Sequence, residues 1–179
     1  MHLSPLTNDE WPSELAHFKD SFTGSGNVYR VMAHHPALLA AWSNYRTHVV
    51  LNNSLGEQRS EITILRIGHR LGSPYEWAHH VVRGRKAGLS DKRILSMRGS
   101  PADMAPEDAT IARSVDALID NARLSAADQQ ALSNLVGKQG MLDVMATVGL
   151  YSTLAFIVNS FDTPTDEDIL TSLAENPIE

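Results

Sequence analysis

Two neighbouring stretches of this chain carry acid and base groups at helical spacing. Glu61 lies among apolar residues, and Gly72 then leads into Ser73-Pro74-Tyr75-Glu76-Trp77-Ala78-His79-His80. Glu76 and His80 are four residues apart, so on a helix they share one stripe, with Arg83 close beside it. Two carboxyl groups and an imidazole joined by one short turn are the parts that proton-transfer chemistry needs. The chain has no cysteine, which removes thiolate nucleophiles, disulfides and thiolate metal sites.

Each of these groups also has a structural explanation. At roughly 100° per residue, Ile64, Leu65, Gly68 and Gly72 fall on the side of Glu61, while Arg59, Thr63, Arg66 and Arg70 gather opposite. A carboxylate on an apolar face must be paired, neutralised or put to use. Without a basic partner from elsewhere, desolvation should raise its pKa; with one, Glu61 is a structural ion-pair member. Glu76 stands at the third helical position behind Ser73, where a capping box would account for it equally well. Neither capping nor core packing asks for His80, beside which Gly84 and Ala87 leave space. His79 points about 100° away from His80, so the two do not share a ligand face, and no His-Glu-x-x-His pattern occurs. No metal and no cofactor is expected. Gly-rich phosphate loops and Gly-x-Ser-x-Gly elbows are missing too, which leaves nucleotide and serine-hydrolase readings without support.

The elements that must hold these groups are helical. The 179 residues, 42% of them apolar, suit one domain with one core. Pro36 opens a helix towards Val50, and Asn52-Asn53 breaks it. Ser54-Leu55-Gly56-Glu57 has capping-box spacing for a helix over about Leu55 to Leu71, which Gly72 stops. Ser73 caps the next, with Pro74 in its first turn and Gly88 past its end near Ala87. Further helices are predicted from Asp91 to about Arg98, Pro106 to Ala122, and Ala126 to Val136. After an interruption at Gly137 to Gly140, a long apolar helix extends to Ser160. The organisation is an arm (1–29) with one short helix near Glu10 to Phe18 and a Thr23-Gly24-Ser25-Gly26 end, a helical domain (30–162), and an acidic tail (163–179) that begins where Pro164 ends the packing. Nothing alternates like a strand: the fold class is all-α.

With 15 Lys and Arg against 21 Asp and Glu, net charge −6, and only the short basic patch Arg83 to Lys86, no nucleic-acid partner is expected. The apolar run between Met141 and Phe161 is broken by Asp143, Thr147, Ser152, Thr153 and Asn159, too polar for a membrane span. Its perimeter is apolar on nearly every side, which points to a central helix or one shared with another subunit. The start shows no secretory pattern, so a cytoplasmic protein is the expectation.

Tyr75-Glu76-Trp77-Ala78-His79-His80 followed by Ala87-Gly88-Leu89-Ser90-Asp91 resembles the signature of the carboxymuconolactone decarboxylase family. His35-Pro36-Ala37-Leu38-Leu39, the run from Arg59 to Arg66, Gly149-Leu150-Tyr151 and Asn159-Ser160-Phe161 fit its longer members, over about residues 30–162. The resemblance implies an alkylhydroperoxidase-like helical bundle assembled as homotrimers or homohexamers, with active sites at subunit contacts. In the alkylhydroperoxidase-like members a Cys-x-x-Cys pair lies between a Glu and a His; here those positions read Glu61, Ser73, Glu76 and His80, so thiol peroxidase chemistry is excluded. In the decarboxylase branch a Glu-x-x-x-His segment matches Glu76 and His80.

The expected activity is that of a cofactor-independent lyase or isomerase on a small carboxylated lactone or related unsaturated acid. His80, as imidazolium, would stabilise or reprotonate an enolate, Glu76 would orient it, and Glu61 would shuttle a proton. Tyr75, Trp77 and Arg83 are assigned to substrate binding, with Arg59 an alternative anchor for its carboxylate. The competing expectation is a non-catalytic oligomeric protein that binds a small ligand in the same pocket.

Overall fold

The computed structural model describes residues 2–19 and 26–178; the Thr23-Gly24-Ser25 stretch expected to close the arm lies outside them. A 3-10 helix at Ser13–Phe18 precedes α1 (Asn27–Met32), α2 (Pro36–Thr47), α3 (Glu57–Arg70), α4 (Pro74–Lys86), α5 (Asp91–Ser96), α6 (Pro106–Asn121), α7 (Ala126–Ser160) and α8 (Glu167–Glu175). No strand occurs among the described residues. The short helix α1 was not foreseen, and α2 runs on into a π-helical turn at His48–Asn52.

The α3–α4 hairpin is built as its sequence dictates. Gly72 takes φ 57°, a left-handed conformation that glycine adopts without a Cβ penalty. Ser73 then caps α4, its hydroxyl accepting the Glu76 N–H at 3.4 Å, with Pro74 in the first turn. Gly68 lets the two helices close: a Cβ there would lie 3.3 Å from the Trp77 backbone nitrogen and 3.4 Å from the Glu76 Cβ. That approach is what brings α3 carboxylates within reach of α4 imidazoles.

The capping box expected at Ser54 to Glu57 does not form. Gly56, at φ 79° and ψ 160°, is the N-cap and lends no side chain. Ser54 instead donates its N–H and its hydroxyl to Asp143 Oδ2 on α7, both at 2.7 Å, while His48 Nε2 meets Asp143 Oδ1 at 2.8 Å. A buried acid must find donors, and this demand outweighs a local cap. Nor does the arginine-bearing side of α3 face water. Arg66 is 5% exposed and makes a bidentate pair with Asp116 on α6 (2.8 and 2.6 Å) while donating to the Met97 and Gly99 carbonyls.

Helix α7 packs on α3 and α6 and bends at Gly137, where φ 74° and ψ 177° interrupt it as the glycine pair predicts. By length and apolarity it could cross a bilayer, yet half of its most apolar window is buried within the fold, where Val144, Leu150, Tyr151 and Leu154 join the core. Beyond Pro164, where the sequence reading expects only an acidic tail, α8 packs against α4.

Candidate active site

The hairpin delivers its three titratable groups to one point. Glu61 Oε2 lies 2.6 Å from His80 Nδ1, and Glu76 Oε2 lies 3.7 Å from His80 Nε2. The imidazole therefore stands between two carboxyl groups, with the Tyr151 ring against it edge-on at 5.0 Å. His80 is 2% exposed and Glu76 3% exposed. The bland account of Glu76 as a capping-box member fails, because its carboxyl does not return to the Ser73 N–H, which donates to the Gly68 carbonyl instead. Glu76 turns inward, and its Oε1 is buried with no hydrogen-bond partner.

Burial decides the protonation of this pair. Desolvation pushes the Glu76 carboxyl up to about 7, against the opposing pull of His79 and Arg83. Burial also lowers the pKa of His80, although Glu61 resists. Burial thus favours the neutral imidazole, and in that form Nδ1, facing Glu61, is assigned as the N–H donor and Nε2 as the acceptor. Burial thereby works against the imidazolium role expected for His80. The buried carboxyl that desolvation raises is Glu76, and the basic partner whose presence the sequence left open for Glu61 is His80.

A cleft of ≈ 320 Å³ opens on this group, lined by Glu76, His79, His80, Arg83 and Tyr151 together with residues of α1, α2 and the C-terminal segment. Arg83 has no carboxylate within ion-pair distance among the described residues. Burial works against its cation, but Tyr151, Glu61, Tyr29 and Glu76 outweigh that and raise its pKa. A second cleft of ≈ 430 Å³ lies on the Glu61 side and shares Arg83 and Lys86 with the first. An anion reaching either cleft meets the same guanidinium.

Of the three residues assigned to substrate binding, Arg83 and Tyr75 line the cleft and Trp77 does not. Trp77 packs in a separate groove beside Gly68, where the Arg98 guanidinium stacks on its ring at 4.0 Å. The spacing explains this: Trp77 follows Glu76 by one residue and so points about 100° away from it. Arg59, the alternative anchor, turns to Glu107 on α6 at 3.4 Å. The space expected beside Gly84 is filled by Leu89 and Ile94 of the following segment.

The residue that sequence reasoning missed is Asp166. Its Oδ2 accepts from the Tyr75 hydroxyl at 2.6 Å and contacts His79 Nε2 at 2.7 Å; its Oδ1 accepts the Asn27 N–H at 2.9 Å. Burial works against its charge, but these bonds hold its pKa below the ordinary value. His79, whose Nδ1 meets the Tyr75 carbonyl at 2.8 Å, is thereby committed to this second network. An Asp just before Glu167 is an N-cap signal that could have revealed α8. No groups suited to hold a metal ion occur among the described residues.

Residues 36–118 match the sequence model of the carboxymuconolactone decarboxylase family. No curated protein matches the chain by sequence. Solved structures share its fold. A peroxidase-related protein from Silicibacter sp. TM1040 superposes with a TM-score of 0.76 at 12% identity, covering 94% of this chain and 95% of that one. An alkylhydroperoxidase AhpD core protein from Ralstonia eutropha JMP134 gives 0.76 at 14% identity, covering 94% and 95%. The debrominase Bmp8, in complex with 2,3,4-tribromopyrrole, gives 0.74 at 13% identity, covering 99% and 97%. At such identities the likeness establishes an alkylhydroperoxidase-like fold and leaves the chemistry open.

Proposed function

We propose, from the match of residues 36–118 to the carboxymuconolactone decarboxylase family model, that the protein is a cofactor-independent lyase acting on a small carboxylated lactone or related unsaturated acid. The observation that carries the reading is Glu76, a buried carboxyl with an unpartnered oxygen, raised to about 7 and facing a cleft that also holds an unpaired arginine. A carboxylic acid poised near neutral pH is suited to deliver a proton.

Arg83 holds a retained carboxylate or the developing enolate oxygen. The bond from the ring carbon to the leaving carboxylate breaks, carbon dioxide departs, and the electron pair passes into the conjugated carbonyl as an enolate. Glu76 then transfers its proton to the enolate carbon and regains one from water, so one proton is consumed per turnover. His80, locked by Glu61 with Nε2 as an acceptor, orients the Glu76 carboxyl and assists its reprotonation. Incubation with γ-carboxymuconolactone is expected to release carbon dioxide; no release at high enzyme concentration sinks the decarboxylase reading.

The competing binding-protein reading would gain weight from Glu61 and Glu76 both being paired by arginines. Neither is: Glu61 pairs with His80, and Glu76 Oε1 has no partner. The imidazole is nevertheless buried and paired with Glu61 rather than open to solvent, which weighs toward the binding-protein reading.

Assembly as a homotrimer or homohexamer is part of the same proposal. Leu142 and Phe156 on α7 are 62% and 61% exposed, with Leu38 on α2 also exposed. Large apolar side chains left open along a central helix fit a face covered by another copy. Light scattering is expected to give at least a trimer, and a stable monomer at micromolar concentration overturns the assembly.

A further inference from the structure

The C-terminal segment supplies a wall of the same cleft from outside the family-matched residues. Asp166, Asp168 and Ile169 line it, and Ile169 is buried there. Three groups converge on Asp166, the Tyr75 hydroxyl and the His79 imidazole from α4 and the Asn27 N–H from α1. Asn27 Nδ2 also donates to the Pro164 carbonyl at 3.0 Å. At the far end of α8, the Arg85 guanidinium donates to the Asn176 and Pro177 carbonyls at 2.6 and 3.2 Å. The helix is thus fastened at both ends across α4, over the face that carries Glu76. Asp166 is its N-cap by position, yet its carboxylate makes no cap bond and is turned wholly to α1 and α4. A cap residue diverted in this way gives up local helix stability for a tertiary contact.

We propose that Asp166 is a positioning residue that latches α8 against α4, and that α8 is the wall that keeps water from the Glu76 carboxyl. The proposal rests on reading Glu76 as the acid but needs no particular substrate. Desolvation dominates the state of Glu76, and Asp166 pushes in the same direction through its charge. The other charged or titratable groups around the cleft are Tyr29 from α1, Arg46 from α2, His79, His80 and Arg83 from α4, and Tyr151 from α7, with Glu61 of α3 behind His80. Tyr75 of α4, Lys86 and Asp168 complete the lining. Of these groups only Asp168 lies on α8 and moves with it. The others stay on α1, α2, α3, α4 and α7 when α8 is loosened, and the comparison of Asp166→Asn with Ile169→Ala separates loss of the Asp166 charge from loss of the wall.

The test follows the Glu76 side-chain carboxyl by carbon-13 NMR against pH in the full chain, with Glu76→Gln to assign the signal. Wild type is expected to titrate near 7. Two variants separate charge from water. Asp166→Asn removes the latch and its charge, while Ile169→Ala thins the wall and leaves the charge in place. Both are expected to lower the Glu76 midpoint by at least about one unit, as admission of water to a buried acid should. In Asp166→Asn, amide exchange over 167–175 is expected to rise at least about tenfold while α6 stays protected. A midpoint that falls in Asp166→Asn but not in Ile169→Ala makes the effect one of charge and overturns the wall. Faster exchange with the midpoint unchanged in both variants makes α8 a structural helix only, and unchanged exchange overturns the latch. These readouts do not depend on turnover, so failure of the lyase reading leaves them to be judged separately.

Discussion

In Glu76→Gln, stability should lose the fall expected of wild type between about pH 4.5 and 7, and turnover should drop on the order of 10²–10⁴-fold. The folded carboxyl titrates near 7 against an ordinary value of 4.5. Below 4.5 both folded and unfolded chains hold the proton, and the group costs nothing. As pH rises, the unfolded chain releases its proton first and is favoured, until the folded chain also ionises near 7. The difference amounts to about 3 kcal/mol lost across that window. Glutamine keeps the shape and cannot titrate, so its unfolding free energy should run flat where wild type declines. Urea denaturation at a series of pH values compares the two slopes and does not depend on any fixed offset from burying an amide. Parallel curves, with turnover retained, would remove Glu76 from the role of acid.

His80→Ala should unfold more easily by about 2–4 kcal/mol as well as lose turnover. Alanine is the better helix former, which from sequence alone favours an intact and unweakened helix. The packed site argues otherwise. The imidazole is fully enclosed against Tyr151, and its Nδ1–H is the donor for Glu61. Truncation leaves a void and a carboxylate without its partner. Denaturation measures the stability term, and added imidazole separates the chemical one: restored turnover without restored stability would show that the ring acts on the reaction. Unchanged stability and activity together would make His80 dispensable on both counts.

The helices around the site were legible because their punctuation is local. Pro36, Gly72, Ser73, Pro74, Gly88, Pro106 and Gly137 act on their own backbone, through φ restriction, left-handed turns or caps, and each does so here close to the expected place. The convergence of Glu61, Glu76 and His80 was legible for a related reason: a four-residue spacing and one short turn leave the hairpin little freedom. Local patterns failed where a distant group had the stronger claim. Ser54 abandoned its expected cap for Asp143, which is 89 residues away in the chain.

Which groups would be charged, and which would touch, was settled only by the packed helices. Periodicity placed Glu61 on an apolar face and left its partner open; the fold supplies His80 to Glu61 and seals Glu76 from water. Trp77, adjacent in sequence to Glu76, faces another groove, while Asp166, 90 residues further along, closes the cleft. Residue type and spacing set which face of its own helix each side chain takes. Desolvation and ion pairing depend on what other helices bring to that face, and this is a property of the tertiary structure alone.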